Sequence, residues 1–357
     1  MATTGERIKA LLEDDSVTEF MVDGPDQVYV ERKGKLEDTD VRFADEQEVI
    51  DWANGLLTSH GWEPVGVGRL WADVRLQDGS RVLVVIPPVA LSGPSVVIRK
   101  SHSGPLTFEQ LYRYGSISPA IVDFLQIVMQ ARLNVLVSGG TASGKTTLTN
   151  MIVELAPEGE RLIAVEQRNE LRLRNERVVY LEAQAASASG AAEVTVTELL
   201  RLAARMRPDR IIVGELMEAE VLEMLRLMNT GLEGMMAPIH ANSPRDVLAR
   251  MEKMATMAEP GLTLPAIRAE IAATIDLIIQ IRRLEDGSRK VLSIVEVQDL
   301  KGDNIVLQEL FRWEKTGVGE DGRFTGVFKA TGATPSFAPT LEAQGFSFPE
   351  GMFKAEN

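Results

Sequence analysis

Apolar and polar positions follow two textures along the chain, and the change falls near Pro119. Before it the segments are short. Residues 7–12 read as a short helix, and 18–22 and 27–31 alternate as strands around the turn Asp23-Gly24-Pro25. Val49, Ile50, Ala53, Leu56 and Leu57 give residues 46–57 a helical period. Residues 70–76 and 81–86 flank Gln77-Asp78-Gly79-Ser80, and an Asp-Gly pair between two strands signals a hairpin. Pro87-Pro88 closes that pair, and residues 95–99 supply one more strand. This texture predicts a small α+β domain.

Residues 101–118 are polar, with Gly and Pro, and read as a linker; Leu106, Phe108 and Leu111 predict that it packs on a neighbour. From Pro119 helices alternate with fully apolar strands. The helices are expected at 120–130, 147–155, 197–205, 219–229 and 244–257, and the strands at 133–138, 162–165, 210–213 and 235–239. That order predicts a parallel sheet covered on both faces. Residues 275–282, 290–297 and 305–313 read as antiparallel strands added at an edge. The expected organisation is an N-terminal domain over 1–103, a linker over 104–118, an α/β domain over 119–320 and an irregular tail over 321–357.

Composition narrows the classes. The 357 residues include no cysteine, which excludes a disulfide framework and a thiolate zinc site. With 45% hydrophobic and 25% charged residues, the chain is expected to be globular. The N-terminus lacks a signal-peptide pattern, and no apolar run approaches the ~20 residues of a membrane span. A formal net charge of −14 argues against a general duplex-binding surface, so no specific nucleic-acid partner is expected.

One segment carries firm chemistry. Gly139, Gly140, Thr141, Ala142, Ser143, Gly144, Lys145 and Thr146 fit the Walker A pattern G-x-x-x-x-G-K-[ST] at every fixed position, with Thr147 opening the next helix. An apolar strand precedes the loop and a helix follows it. Glycines let the backbone curl so that several N–H groups meet one phosphate chain, and the helix N-terminus adds positive potential. Lys145 is placed for the β- and γ-phosphates of ATP, and the Thr146 hydroxyl for Mg²⁺.

Parallel sheets bind ligands at the carboxyl ends of their strands. Glu166 and Glu215 stand at two such ends, Glu215 in the Walker B place after Gly214. A carboxylate there can orient water or hold Mg²⁺ through water. His240, one of three histidines, ends a third strand and can contact the γ-phosphate. Arginines that can stabilise a transition state lie at Arg75, Arg81 and Arg99 and at Arg201, Arg205, Arg207 and Arg210.

Taken together, the Walker A loop, Arg161-Leu-Ile-Ala-Val-Glu166, the run from Arg205 to Glu215, Met228-Asn-Thr-Gly231 and Ile239-His-Ala-Asn-Ser-Pro-Arg245 resemble the secretion ATPase superfamily. That superfamily serves type II secretion, type IV pili and type IV secretion. The run from Ser16 to Glu31, Asp78-Gly-Ser-Arg-Val82, Ile86-Pro-Pro88, Gly93-Pro-Ser95 and Ile98-Arg-Lys100 look most like the CpaF/TadA type of tight-adherence pili. The resemblance implies a RecA-like P-loop NTPase domain with a mainly parallel sheet, preceded by a smaller α+β domain. It also implies an ATP- and Mg²⁺-dependent homo-hexamer, cytoplasmic, on the inner face of a membrane and acting on a polytopic platform protein. In such a reading Glu215 activates water, Glu166 belongs to the acidic box near Mg²⁺, His240 to the His box, and Arg81 and Arg99 reach the γ-phosphate.

The chain also departs from that pattern around the same site. Gln167 follows Glu166 where an Asp is frequent, and Leu216 and Met217 follow Glu215 where an Arg is usual. Leu232 replaces a histidine, and Ala237 and Pro238 replace polar residues. Hydrolysis remains the leading expectation, at a slow turnover. The alternatives are a nucleotide-binding subunit without motor activity and, less favoured by the acidic charge, a RecA-like nucleic-acid translocase.

Overall fold

Two sheets, one antiparallel and one mainly parallel, organise two compact units, Met1–Pro105 and Leu106–Asn357. The computed structural model describes residues 3–32, 34–76, 79–100, 106–184, 186, 192–320 and 322–355.

The first unit runs α1 (Thr4–Glu13), β1 (Val17–Asp23), β2 (Val28–Arg32), β3 (Lys35–Asp38), α2 (Glu46–Ser59), β4 (Trp71–Arg75), β5 (Arg81–Val85) and β6 (Ser95–Arg99). The sheet order is β3-β2-β1-β6-β5-β4, antiparallel throughout. Period-2 alternation places Phe20, Val22, Val82, Val84, Val96 and Ile98 in one core with Ile8 of α1 and Val49, Ala53 and Leu57 of α2. Thr3 closes a capping box on α1, and the Asp45 side chain caps α2. Of the expected hairpin turn, Gln77 and Asp78 lie outside the described residues. β3 escaped the periodicity because every one of its residues is exposed.

The second unit begins with α3 (Phe108–Arg113) and α4 (Pro119–Gln130), so the stretch expected as a polar linker contains a helix, capped by Thr107. Residues 101–105 of that stretch lie outside the described residues. The sheet then builds through β7 (Val135–Gly139), α5 (Lys145–Val153), β8 (Arg161–Glu166), β9 (Arg177–Glu182), α6 (Val196–Ala204), β10 (Arg210–Val213), α7 (Glu220–Asn229), β11 (Met236–His240), α8 (Pro244–Ala258) and α9 (Leu264–Thr274). It finishes with β12 (Leu277–Arg283), β13 (Arg289–Lys301), β14 (Asn304–Val318), β15 (Phe324–Ala330) and α10 (Ala338–Ala343).

The nine strands lie in the order β15-β14-β13-β12-β7-β11-β10-β8-β9. Neighbours are parallel from β12 to β9 and antiparallel from β12 to β15. β12, expected to be antiparallel, is therefore parallel to β7 and sits inside the sheet. Pro238, which has no N–H, interrupts the β10–β11 ladder, and only Ile212 and Met236 pair there. Two apolar layers cover the faces: Leu199, Leu225, Met251 and Ile271 lie in one, Phe124, Leu125, Ile152 and Leu310 in the other.

The expected irregular tail is a correction. β15 pairs with β14, and Phe348 and Phe353 pack on Phe124, with ring centroids 5.8 and 6.0 Å apart. Aromatic burial and strand pairing order this segment despite its Gly and Pro.

Candidate functional site

The site lies at the carboxyl edge of the parallel strands. β7 ends at Gly139 and runs straight into the loop that precedes α5. A Cβ at Gly139 would stand 2.4 Å from Ser143 Oγ and 2.5 Å from the Ile281 carbonyl oxygen, so only glycine fits. Ser143 Oγ donates to the Gly140 carbonyl at 2.9 Å and closes the turn. Ala142 and Gly144 adopt φ of 57° and 96°, the left-handed geometry that folds the loop back on itself. No side chain caps the start of α5. Its first-turn N–H groups, which have no intrahelical acceptors, are thus left for an anion, and these residues fit a nucleotide's phosphates.

Lys145 is buried, and its Nζ donates to the Gly140 carbonyl at 3.2 Å. The same ammonium lies 3.3 Å from His240 and 3.7 Å from Glu215 Oε1. His240 Nε2 lies 3.1 Å from that carboxylate oxygen. Three residues, from the start of α5, from just past β10 and from the end of β11, thus meet in one cluster. Burial pushes the Lys145 ammonium below its usual range, opposed by Glu215. Burial also lowers His240, opposed by Glu215 and helped by Lys145 and Arg250. A neutral imidazole satisfies both neighbours: Nε2–H donates to Glu215 while Nδ1 accepts from Lys145. All of these groups sit where a phosphate chain in the loop would end.

Glu166 is placed differently. It ends β8, only 2% exposed, and its Oε1 accepts from the backbone N–H groups of Glu170 and Leu171, each at 2.8 Å. Burial raises its pKa, and those two N–H groups oppose the rise. Gly214 explains its room: a Cβ there would stand 2.7 Å from Glu166 Cγ. The glycine in the Walker B position is thus the complement of the glutamate on the neighbouring strand. Among the described residues, no group of three or more acidic or histidine side chains forms a ready metal cage. The Thr146 hydroxyl and the strand-end carboxylates nonetheless offer the hard oxygens that Mg²⁺ takes.

Arg81 and Arg99 are cross-strand partners on β5 and β6. Arg81 pairs with Asp73 through bonds of 2.9 and 2.8 Å, and Arg99 lies 3.6 Å from Glu19. Among the other arginines, Arg201 pairs with Glu223 at 2.8 Å. Arg210 is wholly buried, bound to Glu160 and the Met129 carbonyl, and serves the core rather than the site. Thr141 and Thr147 are exposed at the loop, and Met217 is exposed beside Glu215.

Sequence reasoning missed the contribution of β12 and β13. Ile281 contacts Gly139 and Gly144, and Arg289 Nε donates to the Ala142 carbonyl at 3.1 Å. These contacts join positions about 140 residues apart, and no local spacing announces them.

Comparison with known proteins agrees with this construction. The family described as type II/IV secretion system protein matches residues 2–324. A Mycobacterium tuberculosis protein whose name assigns it to conjugal transfer is 35% identical over 301 residues, 83% of this chain and 85% of that protein. The type IV secretion system protein VirB11 of Bartonella quintana is 28% identical over 325 residues, 81% of this chain and 90% of VirB11. The crystal structure of the ATPase DotB from Yersinia pseudotuberculosis shares the fold, with a TM-score of 0.61 at 18% identity, covering 83% of this chain and 80% of DotB. The chain has an α+β N-terminal domain and a RecA-like P-loop domain, and it belongs to the type II/IV secretion system ATPase family.

Proposed function

We propose that this chain is an ATP-hydrolysing motor of a type IV secretion or pilus system. The observation that carries the reading is the meeting of Lys145, Glu215 and His240 at the mouth of the phosphate loop. The loop amides and Lys145 bind the phosphate chain. Lys145 then exchanges its contacts with Glu215 and the Gly140 carbonyl for phosphate oxygens. Glu215, relieved of that cation, orients water for attack, and His240 holds its carboxylate in place. The Thr146 hydroxyl would hold Mg²⁺, with Glu166 acting through water; the metal supplies neutralisation of phosphate charge. Arg81 and Arg99 are proposed to reach the γ-phosphate by leaving their pairs with Asp73 and Glu19.

The finer reading is a CpaF/TadA-type motor of tight-adherence pili, working as a homo-hexamer in the cytoplasm. No helix among the described residues is long and apolar enough to cross a membrane, and a polytopic inner-membrane platform protein is the proposed attachment. Mg²⁺-dependent phosphate release by the purified protein tests the enzyme, with particle size measured alongside. Lys145→Ala and Glu215→Gln are expected to lower release at least about a hundredfold, equivalent to about 2.7 kcal/mol of barrier. Release that survives both substitutions would sink the reading.

A second reading, a nucleotide-binding subunit without motor activity, is favoured by Gln167, Met217 and Leu232 around the site. Met217 and Leu232 stand where the family pattern has groups that can meet a polyanion, and Gln167 stands where an acid could serve Mg²⁺. Tight nucleotide binding without phosphate release in the unmodified protein would select it.

A further inference from the structure

Two consecutive residues of β13 make contacts of opposite destination. Neighbours on a strand point to opposite faces. Arg289 is exposed and turns to the phosphate loop, where Nε holds the Ala142 carbonyl at 3.1 Å. Its Cδ lies 3.3 Å from where a Cβ on Gly144 would stand, so the side chain lies along the loop's left-handed turn. Lys290 is buried, and its Nζ donates to the Tyr114 carbonyl at 2.7 Å. Tyr114 caps the C-terminus of α3, where a cation is favourably placed against the last carbonyls. Val291 N–H donates to the Ser116 carbonyl at 2.9 Å and extends the attachment. Residues 106–116 are the stretch through which the chain passes from the N-terminal unit to the phosphate domain.

We infer that Arg289 and Lys290 are positioning residues that couple the shape of the phosphate loop to the stretch 106–116. Coupling requires a contact whose strength differs between the two states of the loop. The Ala142 carbonyl supplies it. Its direction is set by the positive φ of Ala142, and by a turn that Lys145 and Ser143 now close on the Gly140 carbonyl. A phosphate chain that draws Lys145 away re-orients this turn and, with it, the acceptor of Arg289. The strand is rigid between adjacent residues, so the shift is delivered to Lys290 and to the carbonyl end of α3. Burial lowers the pKa of the Lys290 ammonium, with Asp286 opposing and Arg323 reinforcing.

This inference rests on nucleotide binding at the loop, and the test separates the two. Binding of a fluorescent ADP analogue to the full chain is measured first. Hydrogen exchange of the amides of residues 111–116 is then followed with and without saturating ADP. In the unmodified protein ADP is expected to change that exchange about fivefold or more. In Lys290→Met and in Arg289→Ala, each measured at its own saturating ADP, the change is expected to fall below about twofold. Arg289 is exposed, so its variant keeps the test valid where Lys290→Met fails to fold. Binding without any change in exchange, or variants that keep the full response, would overturn the coupling alone. Absence of ADP binding in the unmodified protein would overturn both the coupling and the functional reading.

Discussion

The two ends of the same sheet each bury a cation against a carboxylate, and they do so to opposite purpose. At the amino edge Arg210 is wholly buried at the start of β10, bound to Glu160 and the Met129 carbonyl, and Arg132 holds Glu160 from the other side at 2.9 Å. At the carboxyl edge, among the described residues, Lys145 has contacts of 3.2 to 3.7 Å shared among a carbonyl, an imidazole and a carboxylate. The first arrangement is forked and direct, although Arg210 Nη1 is buried without a hydrogen-bond partner among the described residues. The second is loose and open to a better partner. Burial of charge therefore does not mark function by itself; what marks it is a cation held by contacts that a polyanion can outbid.

The pair of edges can be broken separately. Replacing Arg210 with Met strands Glu160 beside a single remaining cation, and unfolding stability is expected to fall by about 3 kcal/mol. ATP turnover per folded molecule is expected to hold. Lys145→Met should do the reverse. It removes an ammonium whose burial is unfavourable, so denaturant midpoint is expected to stay or rise while turnover disappears. A Lys145→Met variant that unfolds like Arg210→Met would show that both cations are structural.

Asp276 sharpens the same contrast at the amino edge, because its carboxylate accepts from the Asn134 N–H at 2.6 Å and, among the described residues, from no cation. Burial, with Glu233 and Glu296 adding to it, raises its pKa from 3.8 to about 6. A raised pKa means that the folded state holds the proton more tightly than the unfolded one. Its contribution to stability is complete below about pH 4 and is lost as pH rises through about 6. Asp276→Asn removes that loss. The variant is expected to gain on the parent between pH 4 and pH 7, by up to about 3 kcal/mol, in melts across that range. A gain that is flat with pH would place the carboxylate's proton elsewhere.

Much of this contrast was legible in the residues. The Walker A glycines, Lys145, Glu215 and His240 follow from motif spacing at the ends of apolar strands, and that logic is local. Arg210 stood in the same list of arginines as Arg201 and Arg205, because spacing cannot tell a guanidinium that faces the core from one that faces solvent. Gly214 and Glu166 read as two separate facts along the chain, and only the parallel pairing of β8 with β10 shows that one makes room for the other. β9 lay hidden because its apolar run, Val178 to Leu181, is short and flanked by charged residues, and none of its residues is fully buried at the sheet edge. α9 lay hidden because Ile267 and Ile271 sit among small alanines. The central place of β12 is a long-range pairing, and order within a sheet is not written in local periodicity.

Glu166 falls between the two classes of buried charge, and the smallest expected effect decides where it belongs. Its Oε1 accepts two backbone N–H groups, a task the amide oxygen of Gln performs equally well. Burial raises the pKa of this carboxyl, so ionisation at neutral pH costs the folded state, and the neutral amide avoids that cost. Glu166→Gln is therefore expected to match or slightly exceed the parent's stability at pH 7.5, within about 1 kcal/mol, with the difference vanishing near pH 4. If the residue only ties down the backbone at residues 170–171, phosphate release at saturating Mg²⁺ and its Mg²⁺ dependence both stay unchanged. If its charge serves the metal, half-maximal Mg²⁺ rises by about tenfold while the melting curve does not move. The second outcome is the one the proposed motor requires. A carboxyl whose ionised form burial disfavours, on a strand whose neighbour carries glycine to make room for it, is better explained by a cation it serves than by two N–H groups that a neutral amide oxygen would satisfy.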